Sequence, residues 1–569
     1  MATTALPYLP ESPRAVYNAT WEDILPYYDA LASRPLTAET ADAWLRDWSA
    51  LEEMLRECAA TAHVASTTDT ADAAKEADEV RWSSTINPKI AEQQTRLARR
   101  ILDLGYERAD LVTTLRRFRN TADLFREENV PLKAQLSRLD TEYNRITGGL
   151  TVQWDGAEKT IPQLRPYQLS PDRAIRERAF RSGTEPYITR RDALADLFNR
   201  QYALRQQVAR NADFANYRDY MHREKNRFDY TPADCAQFHA AVEETVVPAL
   251  TRIYARHATQ LGLDRLRPWD AANDPAGRPP LHPFADADAL IAGGRRIFAH
   301  LDPTLGGYFD QMADAGLLDL DSRKGKRPGG YCTSFPYRGL PFIFMNAVGV
   351  ATDVDTLLHE AGHAFHNFEA RQQPLIFQRH PGSEMAEVAS MSMELLTAPY
   401  LAEEAGGYYT VDDARRARAE HLEGILASLA HIATIDAFQQ WVYTDAAGAN
   451  ADARDAAWVR IFDRFNAGLD YDGLRAEKVS RWYRQLHVFL YPFYYIEYGI
   501  AQIGALQVWR NSKANHAEAL AAYRRALALG ATKPLPELFT AAGAQLAFDT
   551  GAIAPLVRLV EDELVTLVD

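Results

Sequence analysis

The chain has 569 residues, with 63 Lys and Arg against 77 Asp and Glu and a formal net charge of −14. That acidic balance argues against a nucleic-acid binder, which gains affinity by neutralising phosphates, although it leaves room for a local basic groove. Hydrophobic residues make up 47%, and Gly (30) and Pro (29) are near average use, so collagen-like and wholly disordered readings fail and a large core can be buried.

The length predicts about two to four domains. The N-terminal segment MATTALPYLPESPRAVYNATWED lacks a basic region followed by an apolar stretch, so no signal peptide is expected. Apolar positions 51, 54, 55 and 58 predict a helix, and the stretches 92–104 and 193–208 continue in the same style. Thr151–Trp154, the turn pair Asp155-Gly156 and Lys159–Ile161 read as a small hairpin. Phe342–Met345 reads as a strand. Residues 268–283, 321–330 and 448–455 read as loops. The fold class is mainly α with a small β element. A boundary near residue 190 divides an N-terminal helical lobe (1–190) from a catalytic region (191–569). The apolar segment Leu486–Trp509 carries His487, Pro492, Glu497 and Gln502, which leaves far less than the roughly 20 apolar residues of a bilayer span. The three cysteines, Cys58, Cys235 and Cys332, are odd in number and far apart, so no disulfide framework is expected and a reducing cytoplasm is the simplest compartment.

Chemistry concentrates in Thr352–His366, where Val354, Leu357, Leu358, Ala361 and Phe365 trace one apolar helical stripe. Thr352 followed by Asp355 resembles a capping box, which predicts the helix start there. Within it lies H-E-x-x-H: His359, Glu360 and His363. Spacing of four puts both imidazoles on one face, able to bind a single Zn²⁺, with Glu360 placed as a general base for water. With 14 His in 569 residues, this pattern arises by chance in roughly a few per hundred such chains. His366 shares the face of His359, either as a group behind the ligands or toward substrate, or simply as a polar residue near the helix end.

A catalytic zinc needs a third protein ligand and an open position. Residues 384–394 predict a second helix, stopped by Pro399, whose acidic residues Glu384, Glu387 and Glu394 sit among Met, Ala, Val and Leu. A carboxylate buried there needs a charge partner, and a metal supplies one. Spacing does not choose between Glu384 and Glu387. Further on, His487, Tyr491, Tyr494, Tyr495 and Tyr498 crowd one apolar stretch; read as a continuous helix, it puts His487, Tyr494 and Tyr498 on one face. Core packing is the plain alternative, but buried hydroxyls require partners.

Gly329–Ser334, Pro341–Asn346, the H-E-A-G-H-A-F-H helix and Glu387-Val-Ala-Ser390 together resemble the thimet oligopeptidase and oligoendopeptidase F family of zinc metallopeptidases, and most of all its bacterial Pz-peptidase-type members. The resemblance runs, with gaps, from about Arg205 to about Trp509. It implies a two-lobed helical body with a deep channel, and one zinc per chain held by His359, His363 and Glu387. It implies Glu360 as base, Glu394 orienting a ligand histidine with Glu384 as rival, and His487 and Tyr498, with Tyr494 and Tyr491 behind them, as donors to the oxyanion. It further implies an edge strand beginning near Gly330 and Tyr331 that pairs with the substrate backbone, with Tyr491 and Tyr495 also lining the substrate. Cys332 is expected to be a buried thiol without a catalytic role.

The expected activity is hydrolysis of internal bonds of short unfolded peptides. The expected chain is a monomer or homodimer without nucleic-acid or membrane partners. The rival readings are a carboxypeptidase-type helical zinc peptidase, a silent peptide-binding protein, and a structural helical protein whose His and Glu merely pair.

Overall fold

The computed structural model describes residues 9–568, so the first eight residues of the segment read for a leader, and Asp569, lie outside the described residues. The chain divides into two compact units. One comprises residues 1–123, 282–415 and 504–546; the other comprises 124–281, 416–503 and 547–569. The boundary expected near residue 190 falls inside the second unit, between the helices Arg173–Thr189 and Arg191–Asn211. Each unit gathers segments distant in sequence, so no shift in composition marks the division.

Both units are mainly helical, as expected. The strands are β1 (Thr151–Trp154), β2 (Ala157–Thr160), β3 (Leu318–Asp321), β4 (Tyr331–Phe335) and β5 (Leu340–Ala347). Four helices matter below: α1 (Ala41–Thr68), α2 (Ala351–Ala370), α3 (Ser383–Thr397) and α4 (Tyr495–Ala514).

In the first unit, α1 buries Trp44, Trp48, Leu51, Leu55 and Cys58 in a core that also holds Tyr28, Trp82 and Leu97. The sheet has the order β3-β5-β4, with β3 parallel and β4 antiparallel to β5, and Cys332 opposite Ile343. Its centre, Ile343 and Phe344, is buried, which suits the predicted apolar run; the strand β3 was not anticipated. Strand β4 is an outer strand, and α1 covers one of its faces: the Tyr331 hydroxyl lies 2.6 Å from Thr67 Oγ1, and its ring stacks on Phe344.

In the second unit, β1 and β2 form the predicted hairpin, with Asp155 (φ +51°) and Gly156 (φ +81°) both left-handed. That geometry is the tight turn whose twist matches paired strands. The loop 268–283 is pinned by Asp270, which accepts from Arg173 and Arg176. The expected loop 448–455 is mostly helix instead. Asn450 caps the helix Ala451–Phe465 by accepting from the Ala453 amide. The small polar run that looked irregular is the capped first turn of that helix.

Candidate metal and catalytic site

Helix α2 begins at Ala351, one residue before the predicted start, and Asp355 is not its cap. Asp353 accepts from the amides of Val348, Gly349 and Val350 at 2.8–3.0 Å. A single carboxylate in the first turn thus satisfies three amides of the loop that enters the helix. Helix α3 runs Ser383–Thr397, ending two residues before Pro399 as expected. The two helices approach closely at Gly362, where a Cβ would lie 2.5 Å from the Ser390 Cα and 2.6 Å from the Ala389 carbonyl. This contact brings the middle of α3 against the H-E-x-x-H turn.

His359, His363 and Glu387 gather there, each offering one donor atom within 4.8 Å of the others. Glu387 Oε2 lies 3.4 Å from His359 Nε2 and 3.6 Å from His363 Nε2. A tetrahedral ion with ligands at about 2.0–2.1 Å requires donor separations of about 3.3–3.4 Å. The donor set therefore fits a zinc-sized cation. Behind it, Glu394 Oε1 lies 2.6 Å from His359 Nδ1, which leaves Nε2 of that ring for the metal side. Glu384 is buried on α3 but lies outside this three-donor group.

The electrostatics follow from burial. Burial works against a charge on His359, but Glu387 and Glu394 hold its pKa well above the ordinary value. Burial pushes His363 down to about 4, leaving a neutral imidazole suited to ligation. Burial lifts the Glu360 carboxyl to about 7, and its Oε2 is buried without a hydrogen-bond partner. The Cys332 backbone on β4 opposes that shift by hydrogen bonding to Glu360. His366, one turn beyond His363, is buried with Nε2 unpaired; burial takes its pKa to about 3, and it stands outside the donor group. Cys332 is half-buried rather than fully buried as expected, and desolvation raises its thiol well above the usual range.

Gly330 precedes β4, and a Cβ there would touch the Phe344 carbonyl at 3.4 Å. Tyr331 already spends its hydroxyl on Thr67.

The tyrosine cluster belongs to the second unit and departs from the continuous helix read from the sequence. A short helix, Leu486–Leu490, ends before Pro492, and α4 starts only at Tyr495. Proline lacks an amide donor and disfavours helix at the residue before it. Phe493 then adopts φ +63°. Its amide donates to Gln439 Oε1, and its carbonyl accepts from Arg227. Arg227 also donates to Glu497 at 2.7 Å, and both side chains are buried. Phe489 anchors the segment, stacking on Trp482 and Tyr143. The break packs His487 against Tyr495 (ring centroids 4.6 Å), Tyr491 (5.8 Å), Tyr494 (6.2 Å) and Tyr498 (6.3 Å). Burial, and then Lys225, takes the His487 pKa down to about 4, so its ring is neutral near pH 7. Tyr491 is 56% exposed, the most open of the four tyrosines. Sequence reasoning missed Arg227 and Gln439; only the Pro492 break signalled that something must hold this turn.

The model of peptidase family M3 matches residues 167–555. The chain belongs to that family. It is 22% identical over 445 residues, 74% of this chain and 71% of the relative, to an oligoendopeptidase F homologue of Borreliella burgdorferi. Among solved structures it is similar to Pz peptidase A with an inhibitor, at 27% identity, TM-score 0.87 and 98% of both chains. It is also similar to a putative oligoendopeptidase F at 28% identity and TM-score 0.86, covering 98% of this chain and 97% of the other. This M3 peptidase thus shares the mainly helical fold of Pz peptidase A and oligoendopeptidase F across nearly its full length.

Proposed function

We propose that this M3 peptidase is a zinc-dependent oligoendopeptidase that hydrolyses internal bonds of short unfolded peptides. The observation that carries the reading is the donor set His359, His363 and Glu387 at tetrahedral spacing, with Glu394 behind His359. A zinc ion held there supplies a Lewis acid to the scissile carbonyl and to the attacking water. Glu360 takes the proton of that water and returns it to the leaving amine. Its carboxyl near 7 suits both halves of the task around neutral pH. Strand β4, as an outer strand, offers backbone groups to an extended peptide, and main-chain pairing tolerates many sequences. On the family resemblance, His487 and Tyr498 donate to the developing oxyanion, with Tyr494 and Tyr491 assisting, and Tyr495 packs His487. His366 and Glu384 are left as supporting groups. The three free thiols suit a reducing cytoplasm.

The test is product mapping on a mixed peptide pool, with and without chelator, including peptides with amidated C-termini. Internal cleavage that tolerates the block and stops with chelator supports the reading. Removal of C-terminal residues alone would make the enzyme a carboxypeptidase, and absence of cleavage would make it a binding protein.

A further inference from the structure

A cavity of ≈ 340 Å³ in the first unit lies beside β4, lined by Arg56, His63, Glu79, Trp82, Thr333 and Ser334 among others. Arg56, Ala59, Ala60 and His63 are one face of α1, spaced three and four residues apart. Arg56 and His380 also line a second cavity of ≈ 220 Å³, so Arg56 borders both.

The charges around it are mostly spent on one another. Glu79 is held by His63 at 2.9 Å and Arg327 at 3.0 Å. Glu52 is buried and accepts from Tyr28, Trp48 and Gln94, and it comes within only 3.9 Å of Arg56. Glu53 is paired with Arg379 and Glu57 with Arg338. Arg117 donates to the His380 carbonyl. Arg56 has its carboxylate neighbour, Glu52, only at 3.9 Å, and its side chain is 41% exposed. A guanidinium fork in that state matches a carboxylate in two-pronged geometry.

The cavity also touches the strand proposed to hold the peptide, since Thr333 and Ser334 of β4 line it. Two residues of strand span about 7 Å. A peptide extended along β4 therefore carries a side chain or its chain end to the cavity within two or three residues.

We infer that the Arg56 cavity is a substrate subsite for a peptide carboxylate, either an acidic side chain or the terminal group. The inference rests on the proposed peptidase reading and adds a selectivity to it. The experiment uses quenched fluorescent peptides that differ only by Glu or Gln, scanned across each position, and a second set ending in a free acid or an amide. Both sets are run on the wild-type enzyme, Arg56→Gln and Arg56→Lys. A wild-type preference of about tenfold in kcat/KM for one carboxylate is expected, as for a partly exposed charge-assisted bond. It should fall below about twofold in Arg56→Gln and recover in part in Arg56→Lys, each preference being the ratio of acidic to neutral peptide on the same variant. Loss of a Glu preference assigns the side chain, and loss of an acid-over-amide preference assigns the terminus. No preference in either set, or one that survives Arg56→Gln, overturns the inference. Failure of the wild type to cleave any peptide of either set would instead overturn the peptidase reading.

Discussion

The guanidinium of Arg227 donates to the carbonyl of Phe493, a bulky residue held at φ +63°. A non-glycine side chain in that region costs about 1–3 kcal/mol and persists only where its surroundings insist on it. Gln439 completes the grip by accepting the Phe493 amide. The turn so held sets where Tyr494 and Tyr498 stand against His487. On the proposed role of Tyr498 as oxyanion donor, Gln439→Leu is expected to lower kcat about 10–100-fold with KM little changed and zinc content intact, somewhat less than deleting a donor. Steady-state kinetics with metal analysis checks this. An unchanged kcat would separate the turn from catalysis.

Glu360 combines a buried, unpartnered oxygen with a carboxyl lifted to about 7. Glu360→Gln keeps the shape and removes the proton acceptor. Turnover should fall by about 10²–10⁴-fold, the range for a positioned general base. Metal stoichiometry should not move. Retained turnover would mean that another group accepts the proton.

The approach of α2 and α3 at Gly362 has no room for a methyl group, and the opposing atoms are backbone. Gly362→Ala should push the helices apart, destabilise the protein by about 1–3 kcal/mol, and weaken zinc binding because His363 and Glu387 lie on opposite sides of the contact. Denaturant unfolding and a competitive zinc titration report the two effects separately. Unaltered zinc affinity would show that the spacing of the donors is set elsewhere.

Burial raises Asp140 from an ordinary 3.8 to about 6, although Arg205 and a hydrogen bond from Gln201 oppose the shift. A carboxyl whose folded pKa lies above its unfolded value binds its proton more tightly in the native state. Its stabilising contribution is full below pH 4 and is lost as pH rises through 6. Asp140→Asn should flatten this part of the stability–pH profile between pH 4 and 6, measured by thermal unfolding. A profile unchanged by the substitution would contradict the assignment.

Much of the site was legible because its chemistry is local. His359, Glu360 and His363 sit on one turn, and an amphipathic stripe fixes that turn as helix. The choice of Glu387 over Glu384 was not legible from spacing, because it depends on how closely α3 meets α2 at Gly362. The cap at Asp353 was misplaced by two residues because its three donors come from the preceding loop. The tyrosine segment was read as one helix because Pro492 was weighed as composition rather than as a break. The partners that hold that break, Arg227 and Gln439, are more than 200 residues apart in the chain. The division into two units escaped for the same reason, since each unit is assembled from three separate segments.

The most direct measurement is a zinc titration of metal-free enzyme with peptide hydrolysis followed at each step. Activity should be absent at the start, rise linearly, and reach its plateau at one equivalent per chain; Glu387→Ala should show no such break. Full hydrolysis by the metal-free protein, or a plateau unaffected by loss of the Glu387 carboxylate, would contradict the account.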